Sequence, residues 1–190
     1  MHIRSAVAGD ADELSALAMR AKAYWGYAEA QLEAWRPSLK VLGESVSARP
    51  TFVGEINARI IGFYSLVPSA AAWELDNLWV APEYMKHGVG RALVTHAAQT
   101  AAAGGATSIL IDADPNAEPF YAACGAKRVG EVGAPIAGQP NRMRPQLMLA
   151  VTCSNISVNA DARERGSVQP RANERSASQL AAPRRGRRLP

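Results

Sequence analysis

The chain reads as a mixed α/β domain with a central sheet flanked by helices, in the order βααβββαβαββ, followed by a polar tail. Three features predict this. Short β-branched and aromatic runs alternate with alanine- and leucine-rich helical stretches through residues 1–151. A strand that stops at Pro82 is followed by the glycine turn Gly88-Val89-Gly90, which opens a helix. Apolar periodicity then ends after Val151, where Ala, Arg, Ser, Asn and Pro take over.

Residues 3–7 are a short strand candidate, and Gly9-Asp10-Ala11-Asp12 breaks it and offers a helix cap. Leu14, Leu17 and Ala18 recur at helical spacing, so a helix runs to about Lys22. Residues 23–27 are an aromatic-rich connection. A second helix is expected over residues 28–40, with Leu32 and Trp35 on one face and Trp35 filling the core. Residues 51–55 and 59–67 make a hairpin through a tight turn at Ile56-Asn57-Ala58. Residues 73–80 form a further strand, which Pro82 stops because proline has no backbone donor for a ladder. Residues 89–103 are helical and end at Gly104-Gly105. Residues 108–112 read as a buried strand and residues 117–124 as a short helix closed by Gly125. Residues 128–132 and 146–151 are the last strands.

A chain of 190 residues with 48% hydrophobic residues has enough apolar side chains for a full core. Its net charge of +4 belongs to the tail. Residues 153–190 hold eight Arg and three acids, a balance of +5, which leaves −1 for residues 1–152. The domain is therefore read as residues 1–151 and the Arg-rich stretch 152–190 as disordered. A domain without a basic stripe argues against nucleic acid as the partner, although the tail alone would be the route to it. Neither a signal-length apolar run nor a membrane-length one is present, so the expectation is a soluble cytoplasmic protein with no membrane partner. Cys124 and Cys153 have no metal spacing and suggest no disulfide framework, and Cys124 reads as a small buried hydrophobe. No metal is expected.

The chemistry concentrates at the glycine turn. Gly88 and Gly90 let backbone approach a ligand without a side-chain clash. The first turn of the following helix leaves N–H groups unpaired at the positive end of the helix dipole, which suits phosphate oxygens. Arg91, Lys86 and His87 add positive charge there. The turn fits neither a dinucleotide fold, which needs a third glycine, nor a nucleoside-triphosphatase loop, which needs Gly-Lys-Ser/Thr.

Two motifs together resemble the GNAT superfamily of acyl-coenzyme A-dependent N-acyltransferases. The first runs from Leu78-Trp79-Val80-Ala81-Pro82 to Gly88-Val89-Gly90-Arg91 and matches Arg/Gln-x-x-Gly-x-Gly/Ala after a strand. Met85 stands in the Arg/Gln slot, and Lys86 stands where many relatives have glycine. The second is Asn116-Ala117-Glu118-Pro119-Phe120-Tyr121 followed by Cys124-Gly125-Ala126, with Ala126 in place of the usual aromatic. The resemblance covers residues 1–151 and implies the GNAT fold and transfer of an acetyl group from acetyl-CoA to a primary amine of a small molecule or peptide.

Under that resemblance, pyrophosphate is expected at Lys86, His87, Gly88, Val89, Gly90 and Arg91. The pantetheine arm is expected along the backbone of Leu78, Trp79 and Val80, whose N–H groups also polarise the thioester carbonyl. Asn116 is expected either to bond the pantetheine amides or to cap a helix. Tyr121 is expected to donate to the departing thiolate, with a packing role beside Phe120 as the alternative. Glu74 is the expected general base. Asp76 shares its face if the strand is regular, and a water chain is the alternative to both. Trp25 and Tyr27 are expected in the acceptor pocket. A homodimer is compatible with such a domain, and a non-catalytic acyl-CoA sensor is the competing function.

Overall fold

The computed structural model describes residues 1–70 and 72–151. They form a seven-stranded sheet in the order β1-β2-β3-β4-β5-β7-β6. The strands are β1 His2–Ser5, β2 Thr51–Ile56, β3 Arg59–Val67, β4 Trp73–Val80, β5 Ser108–Asp112, β6 Lys127–Gly133 and β7 Met143–Ala150. Every neighbouring pair is antiparallel except β4 and β5. Those two need a crossover, which α4 (Val89–Ala103) supplies.

β3 is apolar almost throughout, because both faces of the sheet are covered along it. Tyr64 and Leu66 point to one core, shared with Leu93, Val94 and Ala97 of α4. Phe63 points to the other, shared with Leu14, Leu17 and Ala18 of α1 (Ala11–Ala23). The α1 stripe has the spacing that puts side chains on one helical face. The turn at Asn57 (φ 50°) and Ala58 (φ 60°) has the doubly left-handed form that matches strand twist in a two-residue hairpin.

The expected elements are present with three differences. β1 stops at Ser5 instead of residue 7, because Arg4 and the Val7 N–H both bond Asp10 and turn the chain early. A short helix α3 (Gly43–Ala48) was not expected. It has a single buried residue, Val46, too little apolar pattern to register as a helix. β7 starts at Met143, three residues before residue 146, running through Pro145, whose carbonyl accepts from Ala113 N–H. The second helix is α2 (Glu29–Leu39), and α5 is Glu118–Ala123. The expectation of disorder over 152–190 lies outside the described residues, as does Cys153. Cys124 is half-buried at the end of α5, where burial pushes its thiol pKa up.

Candidate active site

β4 and β5 pair only at Trp73–Ile109 and Glu74–Leu110. Beyond that, β4 follows β3 to Val80 while β5 follows β7 to Asp112. The sheet therefore opens between them, and the far edge of β4 has no strand beside it among the described residues. Ala81 N–H donates to Ile61 O on β3. Backbone direction alternates along a strand, so the N–H groups of Leu78 and Val80 point away from β3, into the opening.

At the rim of the opening lies the N-terminus of α4. Gly88 is its N-cap residue, with φ 83° and ψ −8°, and no side chain caps the helix. A Cβ built on Gly88 would meet nothing within 4 Å, so its conformation and not crowding demands glycine. Gly90 differs, since its Cβ would lie 3.1 Å from the Phe120 ring. It is the point where α5 packs onto α4. Val89 is buried in the core. Lys86 adopts φ 62°, which is left-handed without being glycine. His87 Nδ1 lies 2.7 Å from Met85 O, and Arg91 donates to Ala123 O at 3.1 Å. Both side chains thus brace the turn.

A cavity of about 590 Å³ adjoins the opening, walled by Glu74, Asp76 and Trp79 of β4 and by Lys22, Asp114 and Arg142 opposite. Ser65 pairs with Asn77 and Leu66 with Leu75, so Asp76 is the extra residue of a bulge. Asp76 accepts from Arg49 at 2.6 Å and from Asn77 at 2.8 Å. Glu74 is exposed on the cavity lining, and its carboxylate makes no hydrogen bond or ion pair among the described residues.

Lys22, Asp114 and Arg142 of the lining join Tyr27, which lies beside the wall and not on it, in a network that the sequence did not predict. Asp114 accepts from Lys22 Nζ at 2.5 Å, from the Tyr27 hydroxyl at 2.8 Å and from Arg142 Nη2 at 3.2 Å. Burial works against the Asp114 carboxylate. Lys22, the Asn116 N–H and Tyr27 together outweigh it and hold the carboxyl below its ordinary range. Burial pulls Lys22 below the ordinary lysine value, with Asp114 opposing. Burial, with Asp114 adding to it, raises Tyr27. Also on the lining, Asp112 accepts from Arg144 at 2.7 Å and from Gln146 at 2.9 Å. One signal was readable: Lys22 lies four residues after Ala18, in the buried stripe of α1. Arg142 sits in a loop with no pattern to mark it.

Three expectations are corrected. Trp25 is 38% exposed and stacks edge-on against Tyr24, and neither it nor Tyr27, expected with it in the pocket, is on the cavity wall. Trp35 is not core. α2 buries no residue, and Trp35 lines the cavity with Lys22 Nζ 4.3 Å above its ring. Of the two roles expected of Asn116, the cap is the one corrected: Asp114 is the cap and accepts the Asn116 N–H at 3.0 Å, while the Asn116 side chain donates to the Tyr27 hydroxyl at 3.4 Å. Tyr121 is buried against Phe120, and its hydroxyl has no hydrogen-bond partner among the described residues. Burial raises its pKa, with Cys124 adding a little.

Among the described residues no helix is long and apolar enough to cross a membrane, and no cluster of three or more His, Cys, Asp or Glu stands ready for a metal ion. A search of curated proteins finds no match. Solved structures share the fold. A GCN5-related N-acetyltransferase from Rhodopseudomonas palustris is 22% identical with a TM-score of 0.65, covering 78% of this chain and 94% of its own. The PaiA N-acetyltransferase of Thermoplasma acidophilum, in complex with coenzyme A, is 19% identical with a TM-score of 0.65, covering 78% and 98%. The ribosomal-protein-S18-alanine N-acetyltransferase of Escherichia coli is 18% identical with a TM-score of 0.61, covering 83% and 97%. The profile of the Acetyltransferase (GNAT) family matches residues 13–126, and the chain belongs to that family.

Proposed function

We propose that the protein is an acetyl-CoA-dependent N-acetyltransferase acting on a primary amine of a small molecule or peptide. The observation that carries this reading is the opened sheet beside the uncapped start of α4. It offers strand-edge donors for an extended amide-bearing arm and helix-end donors for a pyrophosphate. The open space around Gly88 fits that use, because a side chain there would occupy the approach. The coenzyme A bound to the Thermoplasma relative is consistent with it.

Acetyl-CoA supplies an activated acetyl thioester, and the residues of the chain must manage two protons and one developing oxyanion. The outward N–H groups of Leu78 and Val80 stabilise the carbonyl oxygen as it gains charge. Glu74 takes a proton from the amine, directly or through water. It suits the role better than Asp76, which Arg49 and Asn77 already engage. Tyr121, kept protonated by burial, donates to the departing sulfur. Lys86, His87, Gly88, Val89, Gly90 and Arg91 hold the pyrophosphate, chiefly through backbone N–H groups. The test is release of free thiol from acetyl-CoA across a panel of amines. Amine-dependent release supports the reading, whereas coenzyme binding with no amine-dependent release from any acceptor favours the sensor function.

A further inference from the structure

Charge is distributed unevenly across the cavity. On the β4 side, Arg49 faces two carboxylates, Glu74 and Asp76, a balance of −1. On the opposite side, Lys22, Arg142 and Arg144 face two, Asp112 and Asp114, a balance of +1. Lys40, the one other charged group of the lining, is exposed at the rim. The cationic excess sits at Asp114, where one carboxylate serves both Lys22 and Arg142. It is also buried, with the Lys22 side chain 11% exposed and that of Arg142 7%. A charge surplus held out of water is costly unless an anion completes it. Donor capacity is left over as well. Lys22 gives one hydrogen bond to Asp114, and its ammonium otherwise faces the Trp35 ring at 4.3 Å and the Tyr27 ring at 4.8 Å.

Resting on the acetyltransferase reading, we propose that the acceptor is an amino carboxylate, with its carboxylate bound by Lys22 and Arg142 and its amine presented to Glu74 across the cavity. The acceptor ammonium first gives up one proton. The C–N bond then forms as the thioester C–S bond breaks. The amine loses its second proton, the departing thiolate gains one, and one proton is released per amide made. Because a second amine would meet Lys22 and Arg142, diamines and other polycations are poor acceptors.

The test compares 4-aminobutanoate and 5-aminopentanoate with their carboxamides and with 1,5-diaminopentane, using the full chain and acetyl-CoA. The acids exceed the carboxamides by about tenfold or more in kcat/KM, through KM, as expected for charge-assisted hydrogen bonds. Arg142→Gln and Lys22→Met each bring the acid-to-amide ratio toward one, and Arg142→Lys restores part of it. Melting temperatures establish which variants are folded, and the wild-type ratio stands without them. Calorimetric binding of the acids and amides to the protein saturated with coenzyme A gives a readout independent of turnover. Acids that bind through Arg142 without being acetylated would uphold the site and overturn the transferase reading. An acid-to-amide ratio at or below one in both assays, or a preference for the diamine, would overturn the proposal.

Discussion

Tyr121 packs its ring into the main core, and its hydroxyl has no hydrogen-bond partner among the described residues. The oxygen is not among the buried polar atoms left without a partner, so it is still open to solvent and free to bond a ligand. Its raised pKa keeps it a donor throughout the neutral range. Tyr121→Phe removes that oxygen and leaves the ring packed on Phe120. Single-turnover rates should fall about 10²-fold with the coenzyme dissociation constant near wild type. Equal rates would leave Tyr121 as a core aromatic. The two carboxylates of β4 separate the same way. Glu74→Gln should slow single turnover by about 10²-fold, and Asp76→Asn, whose main partner is Arg49, by less than about tenfold. The reverse order would transfer the base role to the bulge. Tyr121 and Glu74 could be proposed from the sequence because each sits at a fixed offset from a motif. Lys22, Asp114 and Arg142 meet across 92 and 28 positions of the chain, a separation at which no local pattern operates.

At α4, the two glycines of one motif have different duties. Gly88 is held by its left-handed φ, and Gly90 by the Phe120 ring. Gly88→Val should leave a folded protein, destabilised by about 1–2 kcal/mol of backbone strain. Its coenzyme affinity should drop at least about tenfold when measured by calorimetry. Unchanged affinity would move the pyrophosphate elsewhere. Gly90→Val should act first on stability, by about 1–3 kcal/mol of overpacking, read as a lower melting temperature. The same helix holds half-buried His96 against the sheet, its Nδ1 2.6 Å from the Tyr64 hydroxyl and its ring packed on Phe52. Burial lowers its pKa below the unfolded value of about 6.5. Above that pH, His96 is neutral in both states. As pH falls through it, the unfolded chain takes up the proton first, so stability should decline as pH drops below about 6.5. His96→Gln should flatten that slope in melting temperature, and an unchanged slope would assign the pH dependence to other groups. Helix boundaries here were readable to within a residue because Gly88 and Gly104-Gly105 bracket a long apolar stripe. α2 and α3 lack buried stripes, which is why one was assigned a core face and the other was not anticipated.

The site exists because a parallel strand pair is abandoned after two residues. Nothing in the composition of β4 or β5 signals that divergence, since both read as ordinary strands. The crossover helix and the bulge at Asp76 set where the strands part, and those depend on packing across the whole sheet. The domain boundary has its own test. Deleting residues 153–190 should leave melting temperature and acetyl transfer unchanged, because that stretch has no apolar periodicity with which to pack. A large drop would show that it contacts the domain. Periodicity and punctuation sufficed for the order of the seven strands and of every longer helix, for the hairpin, the glycine turn and the family likeness, because each is a property of neighbours in the chain. The widened sheet, the cavity, its opposed charges and the burial of Lys22 came only from folding. They arise where side chains from distant segments share a space from which water has been excluded, so that their burial and pairing are set by the assembled packing.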